Sequence, residues 1–146
     1  MIIHGAGTDT KLDLTNEGKL LATLDHRALS FSLEGETFRI TRKGMMGPRT
    51  ELLLGETVLA SAKRSPFLNR YAVEHAGQAL TMKAIGWGGR KFGLYREEKE
   101  VGRITPMQLA VCSEVVIDLP VELPLSVQIF LMWVVLYGWS STANDI

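Results

Sequence analysis

The stretch LPLSVQIFLMWVVLYGWSS, from Leu123 to Ser141, decides the fold of this 146-residue chain. It contains nine consecutive apolar residues, from Ile129 to Tyr137. A surface helix needs a polar face, so a helix that is apolar on every side must be buried in protein or in lipid. The fold therefore depends on which of the two surrounds this stretch.

The length of the apolar stretch argues against lipid. Pro120 and Pro124 precede it and Gly138 lies near its end, so we predict a central helix within residues 123–139 that stops at Gly138. Such a helix is about 22 Å long, whereas the hydrocarbon core of a bilayer is about 30 Å thick. Residues 104–146 also lack the lysines and arginines that mark a cytoplasmic flank. Enclosure by protein is favoured, and a tail-anchored membrane protein is the alternative.

Residues 19–118 have the pattern of short antiparallel strands. Apolar and polar residues alternate, as from Leu29 to Leu33, which is the period of two expected for strands with one face in water. Glu34-Gly35 follows this run and predicts a hairpin turn. The predicted strands are 19–24, 28–33, 36–42, 49–54, 57–62, 70–75, 79–85, 91–96, 100–105 and 111–118, with another near 11–15. For residues 1–15 as a whole, a loose arm and a first strand are both open.

Strand number connects this pattern to the apolar helix. Eight strands make a barrel that its own side chains fill, whereas about eleven can surround a helix. We therefore predict a mainly β fold, a closed antiparallel β-barrel of about 11–12 strands that encloses the hydrophobic C-terminal α-helix. Residues 1–146 form a single domain in this interpretation. Small residues that would let the helix approach the wall are Ala60, Ala62, Ala72, Ala84, Gly93 and Gly102.

The formal charge is zero but unevenly spread along the chain. Residues 39–103 carry 13 basic and 6 acidic residues, whereas residues 104–146 carry 4 acidic residues and none that are basic. A basic middle between acidic ends is evidence for an anionic partner. The alternative, and the ordinary explanation, is that these charges form the solvated outer face of the strands. The candidate anion-binding or lipid-binding residues are Arg42, Lys43, Arg49, Lys63, Arg64, Arg90 and Lys91.

Other chemistry has little support in the sequence. His4, His26 and His75 are far apart and none has a partner at metal-ligand spacing, so we expect no metal site and no cofactor. Cys112 has no evident histidine partner and no G-x-S-x-G motif is present, so we expect no catalytic residues. His75 is predicted to be a histidine in the core or at its rim, with its hydrogen bonds satisfied.

The chain resembles the tubby C-terminal-like superfamily, which includes tubby domains, phospholipid scramblases and LURP-one-related proteins. Three segments carry the resemblance: FRITRKGMMGPRTELLLGETVLASAKR resembles paired strands around a basic turn, RKFGLYREEKEVGRI a hairpin, and DLPVELPLSVQIFLMWVVLYGW the closing helix. The resemblance covers residues 19–139 and implies a closed twelve-strand barrel around the final helix. Tubby domains bind phosphoinositide head groups through basic side chains, and scramblases are associated with membranes and calcium. An acidic calcium loop and a cysteine cluster for acylation are missing from this sequence.

These observations predict a non-enzymatic binding module that recognises anionic phospholipid head groups through its basic loops. We expect it in the cytoplasm and peripheral at the membrane. The alternatives are an intracellular scaffold or protein-interaction domain without lipid binding, a tail-anchored membrane protein, and a small hydrolase or other enzyme. Nucleic acid is a poor candidate partner, because the chain is neutral and its basic clusters lack aromatic platforms.

Overall fold

The computed structural model describes residues 2–7, 11–25, 28–43, 49–65, 69–86, 91–108 and 113–143. The described residues form twelve strands followed by one helix. The strands are β1 (Ile2–Gly7), β2 (Lys11–Asn16), β3 (Lys19–Asp25), β4 (Ser30–Leu33), β5 (Glu36–Lys43), β6 (Arg49–Leu54), β7 (Thr57–Arg64), β8 (Arg70–His75), β9 (Gln78–Ile85), β10 (Lys91–Arg96), β11 (Lys99–Gln108) and β12 (Ser113–Asp118). The helix is α1 (Leu125–Ala143).

All twelve strands belong to one antiparallel sheet, in the order β3-β2-β1-β12-β11-β10-β9-β8-β7-β6-β5-β4. Strand β1 lies between β2 and β12 and so joins the first part of the chain to the last. The two strands at the ends of this order, β3 and β4, also lie against each other. The sheet is therefore a nearly closed barrel, as the alternation of the sequence predicts.

The barrel encloses α1. Ile129, Phe130, Leu131 and Met132 are each 0% exposed, and the buried side chains of the strands join them in one core. From Ile129 to Val135, the apolar stretch is thus covered by the strands of its own chain. In the part of the chain that the structure describes, no helix has both the length and the hydropathy to cross a bilayer.

Small residues allow the wall to approach the helix on one side. The helix lies closest to β6, β7 and β11, and Ala60 and Ala62 of β7 are buried beside it. Ala72 is exposed instead, because it alternates with the buried Tyr71 and Val73 of β8. The expectation that Ala72 faces the helix is therefore wrong.

Gly102 makes room for the chain as it leaves the barrel wall. A Cβ atom at this position would lie 2.6 Å from the carbonyl oxygen of Asp118 and 2.9 Å from Leu119 Cδ2. Real Cβ atoms do not come this close to backbone atoms, so glycine lets the segment after β12 cross over β11 toward the helix.

A buried glutamine fixes the start of α1. The Nε2 atom of Gln128 donates to the carbonyl oxygens of Leu123, at 2.9 Å, and Pro120, at 3.3 Å. The side chain is 1% exposed. Two carbonyl groups of the prolyl lead-in therefore have a protein hydrogen-bond donor in place of water, as is usual for buried polar groups.

Both ends of the chain differ in detail from the sequence prediction. The helix does not stop at Gly138 but continues to Ala143. A glycine inside a helix costs only about 1 kcal/mol relative to alanine, which does not suffice to end one. At the other end, residues 2–7 and 11–16 form strands rather than a loose arm, and β1 is a strand that the sequence analysis does not identify separately.

Candidate functional site

Each of six neighbouring strands, β5 to β10, carries a basic residue on the outer face at the same end of the barrel. All six residues lie at or near the strand ends that lead into or out of the β5–β6, β7–β8 and β9–β10 connections. We call them the basic belt. Its members are Lys43, Arg49, Lys63, Arg70, Lys83 and Lys91.

The strand registers place several belt residues side by side. Lys43 is directly opposite Arg49, and Arg49 is directly opposite Lys63. Arg70 is directly opposite Lys83 in the next pair of strands. Like charges in such pairs destabilise a sheet, so the belt is not explained by the needs of folding.

The belt connects across its two remaining gaps by diagonal neighbours. Lys63 is opposite Ala72, which is two residues from Arg70 on β8. Lys91 is opposite Ile85, which is two residues from Lys83 on β9. Diagonal neighbours on one face are about 7–8 Å apart, within reach of long side chains.

A tyrosine positions one of the belt residues. The Nζ atom of Lys83 lies 4.3 Å from the centre of the Tyr95 ring, a cation–π contact. The ring covers Gly93, where a Cβ atom would be 2.8 Å from Tyr95 Cε2. Only glycine lets the tyrosine lie flat against the wall beside the lysine.

The middle of the belt contains a pocket of about 220 Å³. Basic and hydroxyl-bearing side chains surround it, and the Ser65 N–H donates to the carbonyl oxygen of Arg70 at 3.0 Å, which fixes β7 and β8 where they leave the sheet. Ammonium, guanidinium and hydroxyl groups can all donate hydrogen bonds to an oxyanion. The lining residues are Lys63, Arg64, Ser65, Arg70, Tyr71, Ala72 and Thr81.

Two of the predicted cations lie on the other face of the wall. Arg42 follows Phe38 and Ile40 on the buried face of β5, and Arg64 is opposite the buried Tyr71. Burial raises the pKa of the Tyr71 phenol, and the positive charges of Arg64 and Arg42 act in the opposite direction. Arg42 and Arg64 are therefore half-buried at the mouth of the barrel, rather than on its outer surface.

The start of α1 lies at the opposite end of β5 from these inner arginines. Pro124 and Leu125 line one pocket with Leu33 and Phe38, next to the β4–β5 turn. The helix thus starts at the end of β5 that is opposite to Arg42.

The seven predicted site residues are thus divided by the fold. The outer belt contains Lys43, Arg49, Lys63 and Lys91, whereas Arg42 and Arg64 lie at the inner mouth and Arg64 also lines the pocket. Arg90 lies outside the described residues. Arg70 and Lys83 are missing from the sequence prediction, because each stands alone in a strand and only the register brings it next to another cation.

The belt occupies the positive half of a strongly polarised molecule. Described residues within 36–96, from β5 to β10, include ten basic and four acidic side chains. The rest of the described chain includes four basic and ten acidic side chains. Because β5 to β10 are adjacent in the sheet, the zero net charge conceals one positive and one negative side.

His75, which the sequence predicts to be a satisfied core or rim residue, is half-buried and hydrogen-bonded. The carbonyl oxygen of Leu59 can only accept, so His75 Nδ1 donates to it at 2.9 Å. Within the described ranges, no three His, Cys, Asp or Glu side chains come together to hold a metal ion.

Comparisons of the chain with protein-family profiles, curated proteins and solved structures give no match. The resemblance to the tubby C-terminal-like superfamily therefore stays a prediction that depends on layout and local sequence.

Proposed function

We propose that this protein is a non-enzymatic binding module that attaches to anionic phospholipid surfaces through the basic belt. The observation that carries the proposal is the belt itself, one outward cation from each of six adjacent strands at one end of the barrel. Anionic lipid attracts each basic residue near the surface by about 1 kcal/mol. Several such residues together give reversible attachment to a membrane, which we propose takes place in the cytoplasm.

The shape of the belt supports a surface rather than a single small anion as the partner. Six of the twelve strands form about half of the barrel wall, so the belt follows half of its circumference. A flat membrane contacts all six residues only when the barrel stands on the end that bears them. The interior is filled by α1, so we propose no ligand inside the barrel.

Vesicle binding tests the proposal. The protein is mixed with phosphatidylcholine vesicles, with and without phosphatidylserine, and bound protein is measured by sedimentation at increasing salt. We expect binding only to the anionic vesicles, and weaker binding as salt screens the charges. Equal binding to both vesicle types contradicts the role of the belt. Binding to neither contradicts the proposal and favours a protein-interaction domain.

A pair of charge-matched variants separates the belt from net charge. Replacing Lys63 and Arg70 with Gln removes two belt charges and should weaken vesicle binding by roughly 30-fold, at about 1 kcal/mol per charge. Replacing Lys11 and Lys19, two exposed lysines of the negative half, removes the same net charge outside the belt. If both variants lose affinity equally, the belt is not the binding surface.

A further inference from the structure

A carboxylate lies within the basic belt. Glu51 of β6 is 3.2 Å from Lys43 Nζ through Oε1, and 3.6 Å from Arg49 Nε through Oε2. Its side chain is 10% exposed, whereas that of Lys43 is 70% exposed. The carboxylate is therefore held against the wall, where it neutralises part of the charge of both cations.

The middle of the belt, at Lys63 and Arg70, differs from the Glu51 cluster in its ion pairing. Among the residues that the structure describes, no carboxylate is within ion-pair distance of Lys63 or Arg70. Both side chains line the pocket that also contains the Ser65 and Thr81 hydroxyl groups. The belt thus has one part with an internal counter-ion and another part without one.

We propose that Glu51 is an internal competitor that withholds Lys43 and Arg49 from external anions and directs a lipid phosphate group to the pocket between Lys63 and Arg70. This inference rests on the proposed function and identifies which part of the belt binds most strongly. A phosphate oxygen accepts hydrogen bonds from ammonium, guanidinium and hydroxyl groups. To bind Lys43 or Arg49, the same phosphate must first displace a carboxylate that the fold already holds in place.

Glu74 provides a matched control for Glu51. Both residues are directly opposite Ser61, Glu51 on one side of β7 and Glu74 on the other. They are therefore at the same level of the barrel wall, and each change to glutamine removes one negative charge. Within the described part of the chain, Glu74 has no ion-pair partner, so its replacement liberates no cation.

The experiment compares the parent protein, Glu51→Gln and Glu74→Gln for binding to phosphatidylcholine vesicles that contain phosphatidylserine. We expect Glu51→Gln to bind about fivefold more tightly than the parent, and Glu74→Gln to show a clearly smaller gain. Equal gains would overturn the inference while leaving the proposed function intact. If the parent itself does not prefer anionic vesicles, the proposed function fails and this inference fails with it.

A second comparison leaves Glu51 unchanged, so it tests the inference even if Glu51→Gln folds poorly. The doubles Lys43→Gln/Arg49→Gln and Lys63→Gln/Arg70→Gln each remove two belt charges. We expect the second to lose several-fold more affinity than the first, with circular dichroism confirming that both are folded. Equal losses would show that Glu51 does not divide the belt.

Discussion

At the scale of single residues, the ionisation of Tyr71 at the mouth of the barrel makes the stability of the fold depend on pH. Burial, opposed by two nearby arginines, raises its pKa above the ordinary value of 10.0. The folded protein therefore holds this proton more tightly than the unfolded chain does. The resulting stabilisation is complete below pH 10.0 and is lost as the pH rises through the folded pKa.

Replacing Tyr71 with Phe tests this link. We expect the parent to lose more of its free energy of unfolding than Tyr71→Phe as the solution is made alkaline, because only the parent has this phenol to ionise. The measurement is urea unfolding at neutral pH and at pH values above 10.0. Parallel losses in the two proteins would contradict the pKa shift.

At the scale of elements, β1 shows why part of the fold is hard to predict from sequence. Its residues IIHGAG include two glycines, which are rare in strands and favour a loop in any propensity argument. Gly5 is required by close packing: a Cβ atom there would be 2.6 Å from Val115 Cγ1 and 3.1 Å from Leu14 Cδ2. That requirement comes from β12 and β2 and cannot be recognised within the segment itself.

The packing of β1 gives a test by double substitution. Gly5→Ala should lower the free energy of unfolding by about 1–3 kcal/mol, because the added methyl overfills the core. Combining it with Val115→Ala removes the atom that the methyl meets, so the double variant should lose less than the sum of the two single losses. Chemical denaturation of the four proteins measures the coupling, and strictly additive losses would mean that β1 lies elsewhere.

The other elements differ in how much local sequence determines them. Alternation predicts β4 and the turn at Glu34-Gly35, and the apolar run predicts the buried helix, because each signal lies within the element itself. The belt depends instead on which residues become neighbours between strands. Lys43 and Arg49 form a visible cluster in the sequence, whereas Arg70 joins them only through the register of β7, β8 and β9.

At the scale of the whole molecule, the barrel and its helix form one cooperative unit. The helix contributes a continuous column of core side chains from Val127 to Val135. Without it, the inner faces of the strands would surround empty space, and a cavity of that size is far more costly than the total stability of an ordinary domain. The strands alone should therefore not fold.

A chain that ends at Pro120 tests this dependence. We expect it to retain every strand sequence but to show no cooperative thermal or urea transition, and to bind a dye specific for exposed apolar surface. A single exposed change in the full chain, Val121→Ala at a residue 71% exposed, controls for disturbance near the cut and should leave stability within about 0.5 kcal/mol. A shortened chain that unfolds cooperatively would show that the helix is dispensable.

The position of α1 after all twelve strands has a consequence for biosynthesis. The ribosome makes the wall of the barrel first and the core last, so the strands emerge before they have anything to enclose. Until α1 has left the exit tunnel, their apolar faces are available to other nascent chains, the circumstance in which chaperones act. Folding is thus expected to be completed only after α1 has been translated, and a premature stop codon before the helix would yield a product for degradation rather than a smaller working domain.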